Sequence, residues 1–512
     1  MFKTLSDPKA CDYTLHHQVG GGEMKGQSGR FGPIFNPSTG KQIGKVALAS
    51  KEDVETVIAR AEKAFPAWSA LSVVRRARVL QSLVQILYRE KDNLARALSR
   101  EHGKVFSDAQ GDVQRGLEVA EFAAGVPHLM KGEFSDNVGG NIDMYGVRKP
   151  LGVCVGITPF NFPAMIPLWM SCVAIATGNT FVLKPSEKDP SVSMMLADLW
   201  KEAGLPDGVF NVVNGDKEAV DTVCTDPRVK AVSFVGSTAI AKYVYSTSTA
   251  NGKRCQAMGG AKNHMAILPD ADINKVADAL VGSAYGSAGE RCMAISVAVC
   301  VGDEVADKLV ELLKPRVEGL NIGHAFDDQA EMSALVTSEH RAKVQGYLDL
   351  AEEEGADLVV DGRGFKMTEA GYEDGYYLGG TLMDNVTADM RSYKEEIFGP
   401  TLQIMRVNTL EEAIALPSEH EYGNGTSIFT ASGNAAREYA NRVDVGMVGI
   451  NVPIPVPLAF HSFGGWKNSA FGDINQHGPE GIRFYTKTKT ISQRWLNDIG
   501  AGAEFAIPTL NS

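Results

Sequence analysis

Short apolar runs alternate with amphipathic segments through the middle of this chain, and this alternation constrains the fold more than any other feature. Apolar runs occupy residues 151–157, 180–183, 208–213 and 231–235. Helical patterns separate them, for example at 191–203 and 218–224. Continuous apolar strands joined through helices are typical of a parallel sheet covered by helices on both faces. We therefore predict an α/β fold whose ligands bind beyond the carboxyl ends of the strands.

Length and charge narrow the class of protein. A chain of 512 residues exceeds the size at which one hydrophobic core stops growing, so several domains are expected. The net charge of −12 provides no basic surface for nucleic acid. Seven cysteines are widely scattered, without a CxxC pair or a Cys/His cluster at metal spacing. These features predict a reduced, cytoplasmic protein without a structural metal.

We expect neither a secretory signal nor a membrane span. The first twenty residues contain acidic side chains and lack an apolar core. Residues 150–183 carry no charge, but Pro159, Pro163 and Pro167 interrupt them, which a spanning helix rarely tolerates. A buried α/β element explains this stretch better.

The flanking regions have patterns of their own. Residues 51–102 are predicted to be mostly helical, and a second α/β region follows residue 292 as far as about 447. Two segments, 133–148 and 482–495, resemble extended arms rather than core. The apolar, proline-rich run 451–457 is too short for a linker, and we expect it to line something rigid.

Cys292 lies in the stretch Gly-Glu-Arg-Cys-Met-Ala, between a predicted helix at 273–288 and an apolar, β-rich run at 295–301. A thiol at such a corner can point into a cleft, and the neighbouring Arg291 can favour its thiolate. A free cysteine is, however, most often a small buried hydrophobic residue. The local sequence alone leaves both interpretations open.

Polar side chains follow three of the predicted strands. These segments are Thr158–Pro163, Lys184–Glu187 and Gly236–Thr238. A lysine and a carboxylate suit ribose hydroxyls, and a helix N-terminus suits a pyrophosphate. No GxGxxG motif is present, so capped helices and solvated charges are the alternative interpretation.

Together these motifs resemble the aldehyde dehydrogenase superfamily, in the family's order, over roughly residues 33–495. The matching signatures are Phe160–Pro163, Lys184–Glu187, Phe234–Ser237, Gly289–Cys292 and Glu395–Pro400. The resemblance implies a Rossmann-like NAD-binding domain (22–129 and 149–258), an α/β catalytic domain (259–468) and a β-arm for oligomerisation (130–148 and 482–500). It also implies a homotetramer built from dimers.

The resemblance further implies roles for individual residues. Cys292 would be the nucleophile that forms a thiohemiacetal, and later a thioester, with an aldehyde. The Asn161 amide and the backbone N–H of Cys292 would hold the oxyanion. Glu187, at the 2′-hydroxyl position, would favour NAD over NADP. The implied cofactor contacts are Thr158, Phe160, Lys184, Glu187, Lys188, Ser237, Gly259, Glu396 and Phe398.

One departure from the family pattern concerns the general base. Most members place a glutamate before Leu-Gly-Gly to activate water, whereas this chain has Ala257 and Met258 before Gly259 and Gly260. Neither side chain can deprotonate water, and a thiol acceptor needs less assistance because its thiolate is a strong nucleophile. The missing base therefore points to acyl transfer to coenzyme A.

The absent glutamate and the motifs at 259–264, 451–458 and 481–486 resemble the methylmalonate-semialdehyde dehydrogenase branch. The branch implies oxidation of methylmalonate or malonate semialdehyde to propionyl-CoA or acetyl-CoA with decarboxylation. Arg115 and Arg291 are candidate partners for the substrate carboxylate, although Arg115 could equally be a solvated helix charge. His264 and His461 are expected to be structural.

Three other functions remain as alternatives. The nearest is a hydrolytic aldehyde dehydrogenase that releases a free acid. The others are a non-redox cysteine acyltransferase or hydrolase, and a catalytically silent binding protein.

Overall fold

The alternating apolar runs form the centre of an eight-stranded sheet in the computed structural model, which describes residues 2–495. Five neighbouring strands are parallel. Chain order runs outward in both directions from a switch point between Val153–Ile157, the first of the five along the chain, and Val229–Val235, the fourth. The predicted parallel sheet is therefore confirmed, and it is doubly wound. Across the sheet the five strands are Arg254–Met258, Val229–Val235, Val153–Ile157, Thr180–Lys184 and Phe210–Val212.

Side chains alternate across this sheet, so each face packs on its own layer of helices. Val153 and Val155 belong to one apolar core, and Cys154 between them belongs to the other. The first face is covered by Lys51–Ala70, Lys217–Thr225 and Thr238–Ala250, and the second by Val73–His102, Phe106–Ala124, Met165–Ala176 and Ser191–Glu202. Antiparallel strands complete the sheet, Ala470–Phe471 at one edge and His17–Val19 with Gly22–Met24 at the other.

Local sequence explains where the two long N-terminal helices begin and end. Ser50 and Asp53 form a reciprocal capping box at the start of Lys51–Ala70. The second helix, Val73–His102, ends at Gly103, whose φ of 93° favours glycine. The helical prediction for 51–102 is confirmed, with a break at Leu71 and Ser72.

A second, seven-stranded sheet forms the other half of the described chain. Six of its strands are parallel, and Asp357–Val360 pairs antiparallel at one edge. The parallel strands, in spatial order, are Thr381–Asp384, Thr401–Val407, Ile295–Val301, Asn263–Ile267, Gly425–Phe429 and Met447–Ile450. Its helices are Ile273–Tyr285, Asp303–Glu318, Ser338–Glu353, Leu410–Glu419 and Gly433–Arg442.

The predicted arm segments pair with each other. Strand Thr486–Gln493 runs antiparallel to Asp143–Pro150, which also pairs with Phe134–Ser135. The extended strand starts at Thr486 and not at the predicted 482, because Ile482 and Phe484 are buried in the helix Gly478–Phe484. Residues 496–500 of the predicted arm lie outside the described residues. The role of this sheet in oligomerisation, and the domain bounds, stay predictions.

Across residues 2–495, none of the helices is long and apolar enough to cross a membrane. The uncharged stretch 150–183 instead forms two buried strands and the buried helix Met165–Ala176.

The remaining elements are short. They are the strands Tyr13–Leu15, Phe31–Asn36, Lys41–Ala47, Tyr422–Gly423 and Trp466–Lys467, and the helical turns Phe2–Leu5, Val126–Leu129, Gly286–Gly289, Gly362–Gly364 and Arg391–Lys394.

Candidate active site

Cys292 lies between the helix Ile273–Tyr285 and the strand Ile295–Val301, as predicted. The connecting turn is left-handed at three successive residues, with φ of 54° at Ser287, 51° at Ala288 and 73° at Gly289. A Cβ on Gly289 would lie 2.0 Å from the carbonyl oxygen of Gly399. Glycine therefore permits the cysteine segment to pack closely against the segment that carries Glu396 and Phe398.

Two asparagines anchor the main chain of Cys292. Asn263 Nδ2 donates to the Cys292 carbonyl oxygen at 2.9 Å, and Asn424 Nδ2 donates to the same oxygen at 3.0 Å. Both side chains are buried, whereas Cys292 is partly exposed. The two bonds fix the peptide that carries the thiol.

The pKa of the Cys292 thiol is raised, although the nearby Lys104 charge acts to lower it. Burial raises its pKa to about 12, and the Glu396 carboxylate adds to that rise. The Arg291 guanidinium instead pairs with Asp108, with 2.7 Å between Nη2 and Oδ1. The prediction that Arg291 favours a thiolate is therefore wrong, because a carboxylate from another helix engages its charge.

A cavity of about 250 Å³ opens beside Cys292. Arg115 and Arg291 both line it, so the structure brings the two predicted carboxylate partners to one cavity with the thiol. Ile454 and Val456 also line it, so the proline-rich run does line a cavity, while the rigidity of that surface stays a prediction. Its other apolar walls are Phe162, Met165, Trp169, Met293 and Phe463. Asp108, which pairs with Arg291, and Asp112 line it as well. A small, mostly apolar cavity with two guanidinium groups suits a short carboxylate-bearing molecule.

Arg115 is held in place by two partners. Its Nη1 donates to Glu118 Oε2 at 2.7 Å, and its Nη2 donates to the carbonyl oxygen of Pro457 at 2.6 Å. The side chain is 27% exposed, so it is neither fully buried nor freely solvated. These contacts favour a cavity-lining role over that of a solvated helix charge.

Asn161 follows the first strand of the parallel sheet and is buried. Within residues 2–495, its side-chain amide makes no hydrogen bond, while its main-chain carbonyl accepts one from Lys104 Nζ at 2.6 Å. Its side-chain atoms are not fully enclosed, so this amide faces accessible space rather than the packed core. An oxygen acceptor on a bound molecule would satisfy it.

Unpaired polar groups also mark the carboxyl ends of the strands at the switch point. Ser237 is the N-cap of the helix Thr238–Ala250, but its side chain makes no capping hydrogen bond. Thr158 Oγ1 is buried without a hydrogen-bond partner in the described chain. A free hydroxyl at a helix N-terminus in this crevice fits a dinucleotide pyrophosphate.

The predicted ribose contacts lie on a neighbouring strand. Lys184 Nζ donates to Glu187 Oε2 at 3.3 Å, and Glu187 is 44% exposed in its side chain. Lys188 Nζ lies 4.7 Å from the centre of the Phe160 ring. Phe160 meets Phe398 edge to face, with 6.0 Å between the ring centres. The adenosine-side and nicotinamide-side candidates are thus connected through two aromatic rings.

Glu396 is positioned by the chain that follows the last strand of the first sheet. Its Oε1 accepts from the Ala261 N–H at 2.9 Å, and burial raises its pKa. A Cβ on Gly260 would lie 2.7 Å from Glu396 Oε2, and one on Gly259 would lie 2.7 Å from the carbonyl oxygen of Asn468. Gly260 therefore allows the chain to pass close to Glu396, and Gly259 allows it to pass close to Asn468.

Comparison with known proteins identifies the family. The sequence matches the aldehyde dehydrogenase family over residues 24–491. The chain belongs to this family. A malonate-semialdehyde dehydrogenase of Pseudomonas aeruginosa is 54% identical over 97% of this chain and 100% of its own. One from Halalkalibacterium halodurans is 46% identical, over 94% and 98%.

Solved structures agree with this aldehyde dehydrogenase fold. A Sinorhizobium meliloti 1021 protein, provisionally named methylmalonate-semialdehyde dehydrogenase and in complex with NAD, is 56% identical with a TM-score of 0.94. The comparison covers 95% of this chain and 99% of that one. A methylmalonate-semialdehyde dehydrogenase of Oceanimonas doudoroffii is 52% identical with a TM-score of 0.93, over 94% and 98%.

The two residues at the position of the usual aldehyde dehydrogenase base are both buried in apolar surroundings. Ala257 belongs to the core on one face of the first sheet, and Met258 belongs to the core on the other face, with Met293. Met258 therefore lies on the face of the sheet against which Met293, the neighbour of Cys292, packs. Neither can act as an acid or base.

Several functional candidates escaped the sequence analysis. Lys104, Asp112, Asn263 and Asn424 all contact the segments that carry Cys292 or Asn161. Of these four residues, only Lys104 carried a signal in the sequence. The signal is weak and consists of a lysine directly after Gly103 at the end of a predicted helical segment. His264 contacts Tyr393, with 2.9 Å between Nε2 and the hydroxyl oxygen, in a buried aromatic cluster, as expected for a structural residue.

Proposed function

We propose that this protein oxidises methylmalonate or malonate semialdehyde with NAD and transfers the acyl group from Cys292 to coenzyme A, with loss of the substrate carboxylate as carbon dioxide. One observation carries the proposal: the thiol shares a small cavity with two guanidinium groups. A semialdehyde of this kind has an aldehyde for the thiol and a carboxylate for the arginines. Propionyl-CoA and acetyl-CoA would be the products.

The chain's own groups account for the first step. The Cys292 sulfur adds to the aldehyde carbon, the thiol proton leaves to solvent, and the carbonyl oxygen becomes an oxyanion. The Asn161 amide, which lacks another partner in the described chain, and the Cys292 N–H would donate to that oxyanion. Loss of hydride from the same carbon then leaves a thioester on Cys292.

NAD supplies the hydride acceptor when it is bound. Ser237 and Thr158 would hold its pyrophosphate side, since their hydroxyls make no side-chain hydrogen bond among the described residues. Lys184 and Glu187 would hold the adenosine ribose, and Glu396 the other ribose. Phe160, Lys188, Gly259 and Phe398 would form the remaining walls of the crevice.

Arg115 and Arg291 would orient the substrate by its carboxylate, because planar guanidinium groups match carboxylate geometry. In the thioester formed from malonate semialdehyde, that carboxylate is β to the thioester carbonyl. When carbon dioxide leaves, the bonding electron pair passes into this carbonyl as an enolate, which water then protonates. The acyl group remains on Cys292.

The last step is the transfer of the acyl group to coenzyme A. Ala257 and Met258 cannot activate water, so the thioester should persist until a thiolate arrives. Attack of that thiolate on the thioester carbonyl releases the Cys292 thiolate, which takes up a proton.

Pre-steady-state mixing tests this function. Enzyme, NAD and malonate semialdehyde should give a burst of about one NADH per active site, followed by a slow phase. Coenzyme A should accelerate only the slow phase and appear in the product as a thioester. The Cys292→Ala variant should show no burst. Fast steady-state oxidation to a free acid, indifferent to coenzyme A, would instead establish the hydrolytic reaction.

We further propose that the protein is a cytoplasmic homotetramer in which the arm sheet joins subunits. Lys487 and Lys489 on strand Thr486–Gln493 are exposed, and the strand pairs on one side only in the described chain. An edge strand of this length offers backbone groups to a second chain. Light scattering of the full chain measures the mass, and a monomer in dilute solution would contradict this assignment.

A further inference from the structure

Lys104 is a buried cation next to the loop that carries Asn161. It lies between the helices Val73–His102 and Phe106–Ala124 and is 1% exposed. Its Nζ donates to the Asn161 carbonyl oxygen at 2.6 Å and lies 4.3 Å from the centre of the Phe162 ring. Lysine is almost never fully buried without a partner. One ammonium group therefore contacts two successive residues of this loop.

Asp112 holds the other end of the same loop. It is 1% exposed, and its Oδ1 accepts from the N–H of Met165, the first residue of the helix Met165–Ala176, at 2.7 Å. Its Oδ2 makes no hydrogen bond in the described chain and lies 3.8 Å from Lys104 Nζ. The loop is thus held at Asn161 by the cation and at Met165 by the carboxylate.

Burying a cation and a carboxylate is expensive, and well-packed apolar residues often replace such pairs without loss of stability. The hydrogen bonds of the two charged groups go to the main chain of the loop, and Lys104 also lies over the Phe162 ring. This arrangement leaves the Asn161 amide free while fixing the peptide to which it belongs.

We propose that Lys104, supported by Asp112, is a positioning residue that holds the Asn161 amide where it donates to the oxyanion. The inference rests on the proposed role of Asn161. It concerns neither the identity of the aldehyde nor the acyl acceptor. It therefore calls for a reaction that uses Cys292 and an oxyanion but no NAD, semialdehyde or coenzyme A.

Acylation of Cys292 by p-nitrophenyl acetate is such a reaction. The sulfur adds to the ester carbonyl, the oxyanion collapses, p-nitrophenolate leaves and the thiol proton passes to solvent. The readout is the rate of the nitrophenolate burst in stopped flow. Burial raises the pKa of Asp112 to about 7, against the effect of Lys104, so assays at pH 8.5 keep its carboxyl charged.

A double-mutant cycle separates positioning from general damage. Asn161→Ala should slow the burst about 10²–10³-fold, the usual loss for one oxyanion donor. Lys104→Met should slow it about 10–100-fold, because small misplacements of reacting groups carry losses of this size. Added to Asn161→Ala, Lys104→Met should slow the burst less than about 3-fold further, since the amide through which it acts is already gone.

Two controls identify a merely structural effect. Lys253 is also buried, and its Nζ donates to the carbonyl oxygens of Asp226 and Val229 at the far end of the sheet. Lys253→Met should leave the burst rate unchanged. Alkylation of Cys292 by iodoacetamide forms no oxyanion and depends on the thiolate, whose formation the Lys104 charge favours. Lys104→Met should therefore slow alkylation by a much smaller factor than it slows the burst.

The cycle has clear contrary outcomes. Losses that multiply in the double variant, or an alkylation rate that falls in parallel with the burst, would overturn the proposal. If Lys104→Met does not fold, Lys104→Arg and Asp112→Asn replace it. Each should slow the burst by a smaller factor, and that factor should again disappear when it is combined with Asn161→Ala. If the wild-type enzyme gives the nitrophenolate burst but forms no product from semialdehydes, the proposed function is contradicted and this inference still stands.

Discussion

The Arg291→Gln substitution tests the link between the cavity and a substrate carboxylate. Arg291 lines the cavity beside Cys292, and its Nη2 lies 2.7 Å from Asp108 Oδ1. Both side chains are mostly buried, at 21% and 16% exposure, so solvent screens this pair only partly. Glutamine retains hydrogen-bonding capacity but removes the positive charge.

Two effects determine the magnitude. Loss of a charge-assisted hydrogen bond to the substrate costs about 1.5–3 kcal/mol, which corresponds to roughly 10–150-fold in kcat/KM. The substitution also leaves the Asp108 carboxylate unpaired in the cavity wall. At an effective dielectric constant near 20–80, its repulsion of a substrate carboxylate adds about 1 kcal/mol or more. We expect kcat/KM for malonate semialdehyde to fall about 50–1,000-fold.

The repulsive part has its own pH dependence. Although burial raises the pKa of Asp108, Arg291 and Lys104 outweigh it and hold the pKa below its ordinary value. Without Arg291 this pKa rises, so Asp108 becomes neutral at low pH and the repulsion disappears. The deficit of Arg291→Gln should therefore shrink as the pH falls. The double variant with Asp108→Asn should recover about 5-fold in kcat/KM at neutral pH.

The assay compares NADH formation from malonate semialdehyde with that from propanal, which has the same carbon chain without the carboxylate. Arg291→Gln should change kcat/KM for propanal by less than about 3-fold, because the aldehyde meets Cys292 and Asn161 rather than the arginine. Equal losses with both aldehydes would show that Arg291 supports the cysteine segment and does not recognise a carboxylate.

Three further predictions follow from particular residues. Because the pKa of Cys292 is raised to about 12, its alkylation by iodoacetamide should accelerate about tenfold per pH unit from 7 to 10; a plateau near pH 8.5 would contradict this. Glu187→Gln should improve the ratio of NADP to NAD use about 5-fold by removing about 1 kcal/mol of repulsion, and an unchanged ratio in steady-state assays would place Glu187 away from the ribose. Ala257→Glu should lower the free energy of unfolding by several kcal/mol in denaturant titrations, because it places a carboxylate in an apolar core. Met258→Glu should instead raise the rate of thioester hydrolysis without coenzyme A. The reverse pattern would show that the two residues face the opposite sides of the sheet.

The sequence predicted what depends on local pattern. The apolar runs became neighbouring parallel strands, and the segments after them meet at the sheet edge where Ser237 and Thr158 lie. Cys292 occupies the predicted corner because a helix and a strand flank it directly. Such features depend on residues only a few positions apart, so periodicity and turn residues reveal them.

Contacts between distant segments could not be predicted this way. Arg291 pairs with Asp108, 183 positions away, and Asn424 reaches Cys292 across 132 positions. The predicted thiolate preference was wrong for this reason, since an adjacent arginine in sequence says nothing about the carboxylate that engages it. The pKa of a buried thiol depends on the whole enclosure, and the enclosure is a product of tertiary packing.

The proposed change of acyl acceptor, from water to a thiol, rests on the two residues at the end of the strand Arg254–Met258. In a strand, successive side chains point to opposite faces, so only one of Ala257 and Met258 can face the thiol. The core assignments place Met258 on the side of Met293, and Ala257 on the other. Ala257, which precedes Met258-Gly-Gly as the glutamate precedes Leu-Gly-Gly, offers no proton acceptor, and Met258 adds apolar surface, which disfavours an ordered water. Both effects slow hydrolysis, whereas a thiolate that arrives already deprotonated needs neither a base nor a water site.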